Sequence, residues 1–214
     1  MTTHVMPLRQ GEEMPDPVQL LPVATAKPRP IAGTPQSIHQ LKVTLRHISP
    51  PVWRRIQVPS DASLGELHFI LQTAMGWDDG HLHLFSVRGA TYADGRIEDP
   101  WGTPPKDENR ARLARVAPVG THLRYEYDFG DGWEHVLVVE KVFPAEPGVT
   151  YPRCVAGQRA CPPEDCGGSP GYTSLLEAVA DPDHPEHKEL LDWIGAEFDP
   201  EAFDPEAVNA WLKP

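Results

Sequence analysis

The sequence predicts an α+β domain, in which a mainly antiparallel sheet of the roll or grasp type packs on one main helix and a set of short helices follows. Three observations predict this fold class. Alternating apolar and polar residues indicate two half-buried strands, one strongly periodic helix follows them, and a second β-rich hairpin precedes three short helical segments. The 25 prolines among 214 residues exclude a long-helix protein, because proline breaks helix interiors.

The chain divides into an arm and a domain. Residues 1–36 contain seven prolines and no periodic apolar pattern, so we expect a poorly ordered N-terminal arm followed by a single domain over residues 37–214. No apolar run approaches the roughly 20 residues that cross a bilayer, and the N-terminus lacks the apolar region of a signal peptide. We therefore expect a cytoplasmic protein with no membrane partner.

The first strands form a predicted hairpin. Leu41, Val43 and Leu45 alternate with polar residues, and residues 52–58 provide a second strand after the Ser49-Pro50-Pro51 break. A helix over residues 63–76 follows. Ser63 and Glu66 have the spacing of a capping box, in which each side chain accepts a hydrogen bond from an otherwise unpaired amide of the first turn. Residues on its core-facing side recur at helical spacing: Leu64, Leu67, Ile70, Leu71, Ala74 and Met75.

The remaining elements are shorter. We expect a strand over residues 81–87, a surface loop over 91–109 and a short helix over 110–116. Residues 122–143 predict a second hairpin, with Asp131-Gly132 as a two-residue type I′ turn. Residues 144–170 have the composition of a long loop, and three short helices end the chain near residues 172–179, 185–194 and 204–212.

The turn of the second hairpin places a candidate pair of side chains. With Asp131 and Gly132 at its centre, Asp128 lies opposite His135, where a carboxylate can orient an imidazole. The pair can act as a base or metal ligand, or it can be a structural pair that fixes the register. The pairing is lost if Gly130 joins the turn. His81 and His83 are a second candidate pair for binding a metal or a substrate, because residues i and i+2 of a strand share one face.

Three cysteines lie within thirteen residues of the predicted loop. Thiolates and imidazole are preferred zinc ligands, so Cys154, Cys161 and Cys166, with His135 as the fourth ligand, are candidates for one structural zinc site. The alternative is that the cysteines are small buried residues under a loop. No other cofactor is indicated.

Several motifs in combination resemble the plasmid pRiA4b ORF-3-like family. They are Leu67-His68, Met75-Gly76-Trp77 and the segments 81–85, 127–135 and 161–168. The resemblance covers residues 37–214 and implies an α+β roll. The family is generally described as uncharacterised, although some members are labelled resolvase-like or associated with mobile elements, and it supplies no agreed catalytic residues.

The leading functional hypothesis is a non-enzymatic binding or adaptor module that holds a peptide, protein or small ligand in a groove. The candidate ligand-binding residues are Trp77, His81, His83, Asp128, Asp131, Trp133, His135, Glu164 and Asp165. A metal-dependent hydrolase acting on phosphoesters is one alternative, with Asp128, Asp131, His135 and His83 in its site.

A DNA-associated accessory protein of a mobile element is the other alternative. The first hairpin carries the cations that could contact DNA, Arg46, Arg54 and Arg55. The formal net charge of −12 argues against this class, because affinity for the phosphate backbone comes mainly from lysine and arginine. We therefore expect no nucleic-acid partner. The last part of the chain, residues 181–214, is strongly acidic.

Overall fold

The computed structural model describes residues 36–97, 103–195 and 198–213. Eight strands form one sheet in the order β5-β4-β3-β6-β7-β1-β2-β8, in which neighbours are antiparallel except for the parallel pair β4–β5. The strands are β1 (Ser37–Leu45), β2 (Trp53–Pro59), β3 (His83–Val87), β4 (Ala90–Ala93), β5 (Lys106–Asp107), β6 (His122–Tyr127), β7 (Trp133–Pro144) and β8 (Arg153–Gln158). The α+β class is confirmed. The predicted arm lies almost wholly outside the described residues and stays a prediction.

The first hairpin is confirmed and lies towards the β8 end of the sheet. Leu41 of β1 lies opposite Ile56 of β2, and both are fully buried. Strand β7 pairs with the other side of β1. The alternation in the sequence therefore reports which side chains enter the core.

The main helix is α1 (Leu64–Met75), and its ends match the sequence prediction. The Ser63 side chain accepts a hydrogen bond from the Glu66 amide, the Glu66 carboxylate accepts one from the Ser63 amide, and Gly76 ends the helix at a φ of +82°. The apolar face of α1 buries Leu67 and Leu71 in the core. Helix α1 thus covers the sheet with its C-terminal end near β2, where Ala74 O accepts a hydrogen bond from Arg54.

Replacing Ser63 with alanine should test the contribution of this cap. The substitution leaves the Glu66 amide without its acceptor, so we expect the free energy of unfolding to fall by about 1 kcal/mol. Urea denaturation followed by circular dichroism measures the change. Ser174→Ala, an exposed serine within helix α3 (Gly168–Ala180), is the control and should change stability by less than about 0.5 kcal/mol. Equal stability of the two variants would contradict the role of the cap.

The hairpin β6–β7 has a different register from the one predicted. Tyr125 lies opposite His135 and Tyr127 opposite Trp133, which leaves residues 128–132 as a five-residue loop. Asp128 adopts a φ of +54°, and its carboxylate accepts a hydrogen bond from the Gly130 amide. The predicted type I′ turn and the Asp128–His135 pair are therefore wrong, because Asp128 and Gly130 both belong to the turn.

The segment 144–170 is not a continuous loop. Strand β8 lies within it and pairs with β2, and it contains Cys154. The expected loop at 91–109 likewise contains short strand segments, while a 3-10 turn at Glu108–Arg110 and the one-turn helix α2 (Leu113–Val116) cover the region of the predicted short helix.

The three predicted C-terminal helices are present. They are α3 (Gly168–Ala180), α4 (His187–Ile194) and α5 (Pro205–Leu212). Asp204 caps α5, with Pro205 as its first residue. The Asn209 side chain of α5 accepts a hydrogen bond from the Cys154 amide at 2.7 Å and donates one to the Cys154 carbonyl at 2.9 Å. These contacts fasten α5 to strand β8.

Candidate functional site

The aromatic residues of the expected groove lie in the core. Trp77, Trp133 and His135 are at most 4% exposed, and the Trp77 ring stacks on Tyr127 with ring centroids 5.2 Å apart. His83 is also buried. These side chains therefore do not line an open groove in this structure, and a ligand outside the protein cannot reach them without a rearrangement.

The segment 161–168, here called the covering loop, closes over these aromatic rings. The Trp77 indole donates a hydrogen bond to Pro162 O at 2.9 Å. The Glu164 carboxylate accepts hydrogen bonds from the Tyr127 hydroxyl and from the Asp78 amide. The Gly167 amide donates to Asp131 Oδ2 at 3.2 Å. The covering loop thus brings the end of α1, the β6–β7 loop and residues near the start of α3 into one region.

Burial and hydrogen bonding both raise the pKa of the Tyr127 hydroxyl. Its pKa is raised well above the ordinary value, first because burial disfavours the phenolate, and then because the hydroxyl donates to the Glu164 carboxylate. The phenol therefore stays protonated at physiological pH. Its hydrogen bond to Glu164 holds the covering loop, and the group has no use as a base.

Three candidate residues meet at the surface beside the covering loop. His81 lies two residues before β3 and is one-third exposed, Asp128 is in the β6–β7 loop, and Asp165 is an exposed residue of the covering loop. Asp128 Oδ1 is 3.8 Å from His81 Nδ1, and Asp165 Oδ1 is 3.4 Å from His81 Nε2. The His81 and Tyr127 rings pack nearly perpendicular to each other, with centroids 5.8 Å apart. We call these three residues the His81 cluster.

A second cluster lies inside the protein and includes residues that the sequence did not single out. The rings of His68 and His83 stack with centroids 3.5 Å apart and planes inclined by only 7°. His68 Nε2 lies 2.7 Å from Asp79 Oδ1, while His83 Nε2 lies 2.9 Å from Glu108 Oε2. The position of His68 on the apolar face of α1, four residues after Leu64, was the available signal, but that position is also typical of ordinary core residues.

The two clusters differ in what they can do chemically. Ligand atoms of His68, Asp79 and His83 lie within 4.8 Å of one another, as do those of the His81 cluster. However, imidazole lone pairs lie in the ring plane, so two parallel stacked rings cannot both direct a nitrogen at the same ion. Both ring nitrogens of His68 are already engaged, Nδ1 with the Tyr125 hydroxyl at 2.8 Å and Nε2 with Asp79 Oδ1 at 2.7 Å. The buried cluster is therefore suited to a hydrogen-bonded core, whereas the His81 cluster is open to solvent.

The cysteines and His135 are not brought together as a set of four zinc ligands. Cys154 belongs to β8, Cys161 lies 3.4 Å from the Met75 sulfur, and Cys166 is in the covering loop. Within the described residues, the groups of three or more ligand atoms that could hold a metal ion contain no cysteine. Burial raises the pKa of Cys161 to about 11 and that of Cys166 to about 12, so both thiols stay protonated. The zinc site at these residues thus gains no support from the geometry.

The cations of the first hairpin are engaged within the protein. Arg46 pairs with Glu134 at 2.9 Å and Arg55 with Glu140 at 2.7 Å. Arg54 is 4% exposed, and its guanidinium donates to three backbone carbonyls. These three arginines therefore do not form a free cationic surface for DNA.

An apolar pocket opens between α1 and α5. Its volume is about 330 Å³, and its walls include Met75, Phe203, Val208 and Trp211. The Arg54 guanidinium lies 4.3 Å from the centre of the Phe203 ring and forms part of the floor. The Trp211 side chain is left 75% exposed. The sequence did not point to this pocket.

The sheet order, the single main helix and the covered aromatic cluster define an α+β protein whose accessible features are a polar cluster and an apolar pocket. Residues 37–207 match the family described as Plasmid pRiA4b ORF-3-like protein, and the chain belongs to that family. It is 44% identical over 162 residues to the uncharacterized protein y4hQ of Sinorhizobium fredii (strain NBRC 101917 / NGR234), covering 75% of this chain and 82% of that protein.

A crystal structure shares this fold. The protein of unknown function MM3350 from Methanosarcina mazei Go1 superposes with a TM-score of 0.74 and 38% sequence identity, covering 81% of this chain and 98% of that one. None of the described helices is long and apolar enough to span a membrane. The relatives thus establish family and fold, and both are of unknown function.

Proposed function

We propose that this protein is a binding module whose partner is a basic, amphipathic protein segment. The observation that carries the proposal is the apolar pocket between α1 and α5. Its volume, about 330 Å³, falls within the range of pockets that hold ligands, and it is large enough for an apolar side chain. The exposed Trp211 at its edge is of the residue type most often found at the energetic centre of interfaces.

The floor of the pocket is held in place from within. Arg54 donates hydrogen bonds to Ala74 O at 3.0 Å and to Gln158 O at 3.0 Å, which tie α1 to the end of β8. The Phe203 ring packs over the same guanidinium. A floor that is already ordered reduces the entropic cost of binding, so the pocket can receive a side chain without refolding.

The charge around the pocket indicates the sign of the charge that the partner should carry. Asp204 lines the pocket, and the exposed Glu206 lies beside it in the sequence, whereas the carboxylate of Glu201 forms an ion pair with Arg159. Residues 181–214 contain many more acidic than basic side chains. An acidic surface attracts a basic segment and disfavours nucleic acid. The hydrolase alternative is not favoured by the geometry, because His83 and His135 are buried.

The test uses a fluorescein-labelled helical peptide of 18 residues, with leucines on one face and lysines on the other. Fluorescence anisotropy should show that the peptide binds and that Trp211→Ala weakens binding at least about tenfold, the loss typical of an interface tryptophan. Trp193→Ala is the matched control, because Trp193 is 49% exposed on α4 and is absent from the pocket lining; it should change binding less than about twofold.

A second peptide, with glutamate in place of every lysine, tests the charge argument. We expect it to bind much more weakly at low salt, and we expect binding of the lysine peptide to weaken as salt rises. Equal effects of the two tryptophan substitutions, or equal binding of the two peptides, would contradict the proposal.

A further inference from the structure

We infer that the His81 cluster is a binding site for a divalent transition-metal ion of the Zn²⁺ or Mn²⁺ class. Its members come from three segments that are far apart in the sequence: the residue pair before β3, the β6–β7 loop and the covering loop. One ligand atom from each residue lies within 4.8 Å of the other two. The site is separate from the apolar pocket and does not depend on the proposed peptide binding.

The two carboxylates of the cluster approach different nitrogens of the His81 ring. Asp128 Oδ1 is 3.8 Å from Nδ1 and Asp165 Oδ1 is 3.4 Å from Nε2, and both separations exceed the donor–acceptor distances of about 2.7–3.2 Å that are typical of hydrogen bonds. One ligand atom from each residue lies within 4.8 Å of the other two. Because an ion takes only one ring nitrogen, we expect the exposed Asp165 side chain to rotate towards the ion when it binds.

The surroundings hold the ligands in position. The Gly130 amide donates to Asp128 Oδ1 at 2.9 Å, which fixes the orientation of that carboxylate. The edge-on contact with Tyr127 restrains the His81 ring. The Glu164 and Gly167 contacts anchor the covering loop on either side of Asp165. Such hydrogen bonds behind the ligands commonly change metal affinity by about 10–100-fold.

The donor set indicates the class of ion. One imidazole nitrogen and two carboxylate oxygens suit Zn²⁺ and Mn²⁺, whereas Ca²⁺ and Mg²⁺ prefer oxygen ligands alone. The side chain of Asp128 is only 11% exposed, so its negative charge is poorly solvated and gains from a cation beside it. Three protein ligands leave a further coordination position that faces solvent.

The test starts from protein freed of metal with a chelator and dialysed. Isothermal titration with ZnCl₂, and electron paramagnetic resonance with MnCl₂, should each show one ion bound per chain. His81→Ala and Asp165→Asn should each weaken binding at least about tenfold. The matched controls are His122→Ala and Asp192→Asn, an exposed histidine and an exposed aspartate elsewhere, and neither should change the affinity.

The same ion should raise the melting temperature, because it binds the folded chain and ties three loops together. This shift should disappear in His81→Ala and persist in His122→Ala. Binding that is unchanged in His81→Ala and Asp165→Asn would overturn the inference, as would binding that is lost in Cys161→Ser but retained in His81→Ala. Failure to bind one ion per chain would overturn it as well.

Discussion

Gly171→Ala should destabilise the domain by about 1–3 kcal/mol, although a glycine-to-alanine change inside a helix ordinarily stabilises it. Gly171 lies in the first turn of α3, where the backbone passes close to the covering loop. A Cβ atom at this position would lie 1.9 Å from the carbonyl oxygen of Cys166, far inside van der Waals contact. Since the obstructing atom belongs to the backbone, the covering loop itself must move, and with it Glu164 and Asp165.

Urea denaturation measures this effect, and the chain offers a matched control. Gly80 lies in the loop that precedes β3, where a Cβ would meet no heavy atom within 4 Å. Gly80→Ala should therefore change the free energy of unfolding by less than about 0.5 kcal/mol. If Gly171→Ala proved as stable as Gly80→Ala, the close approach of the covering loop to α3 would be refuted.

Acid should unfold the domain through its buried histidines, and His135 should make the largest identifiable contribution. Burial lowers the pKa of His135 to about 4 from an ordinary value near 6.5. The unfolded chain therefore binds this proton more tightly than the folded chain does. The stabilisation is fully present above pH 6.5 and is lost as the pH falls towards 4, with a limit of about 3 kcal/mol for this residue.

The pH dependence can be measured as the free energy of unfolding at pH 7 and pH 5, between which His135 should account for a loss of about 2 kcal/mol. His135→Asn removes the titration and keeps a donor that can reach Tyr125 O, where His135 Nδ1 lies 3.3 Å away. The variant should be less stable at pH 7 but should lose less stability on acidification. His122→Asn is the control on an exposed histidine. An unchanged loss in His135→Asn would exclude His135 as the source.

Local signals explain why the first half of the fold could be predicted. The alternation in β1 and β2 and the cap of α1 depend on neighbouring residues, and the structure reproduces them. Strand β8 was missed because its sequence, from Arg153 to Gln158, has no apolar alternation; it is a strand because it pairs with β2. The predicted register of β6–β7 was wrong, because the chain forms a longer turn that begins at Asp128 instead of the two-residue turn that Asp131-Gly132 indicates.

The sequence named the three residues of the His81 cluster among nine candidate ligand-binding residues, but it did not single them out as a set and did not predict which candidates are exposed. His81, Asp128 and Asp165 were all named from the sequence, and they do meet at the surface. Trp77 and Trp133 were expected to line a groove, yet they are covered by a segment some thirty residues or more away in the sequence. Such covering is a tertiary contact, and no local pattern in either segment specifies it. His68 and Glu108 were missed for the same reason.

The hydrogen bonds between Asn209 and Cys154 have a consequence for how copies of this protein meet. Strand β8 is the last strand of the sheet, and an end strand with free amide and carbonyl groups can recruit a strand from another molecule. Asn209 occupies both polar groups of Cys154 with a single side-chain amide, and α5 lies along that border. Helix α5 therefore hinders the addition of a strand from another molecule at the β8 edge of the sheet. The same short helix provides one wall of the pocket.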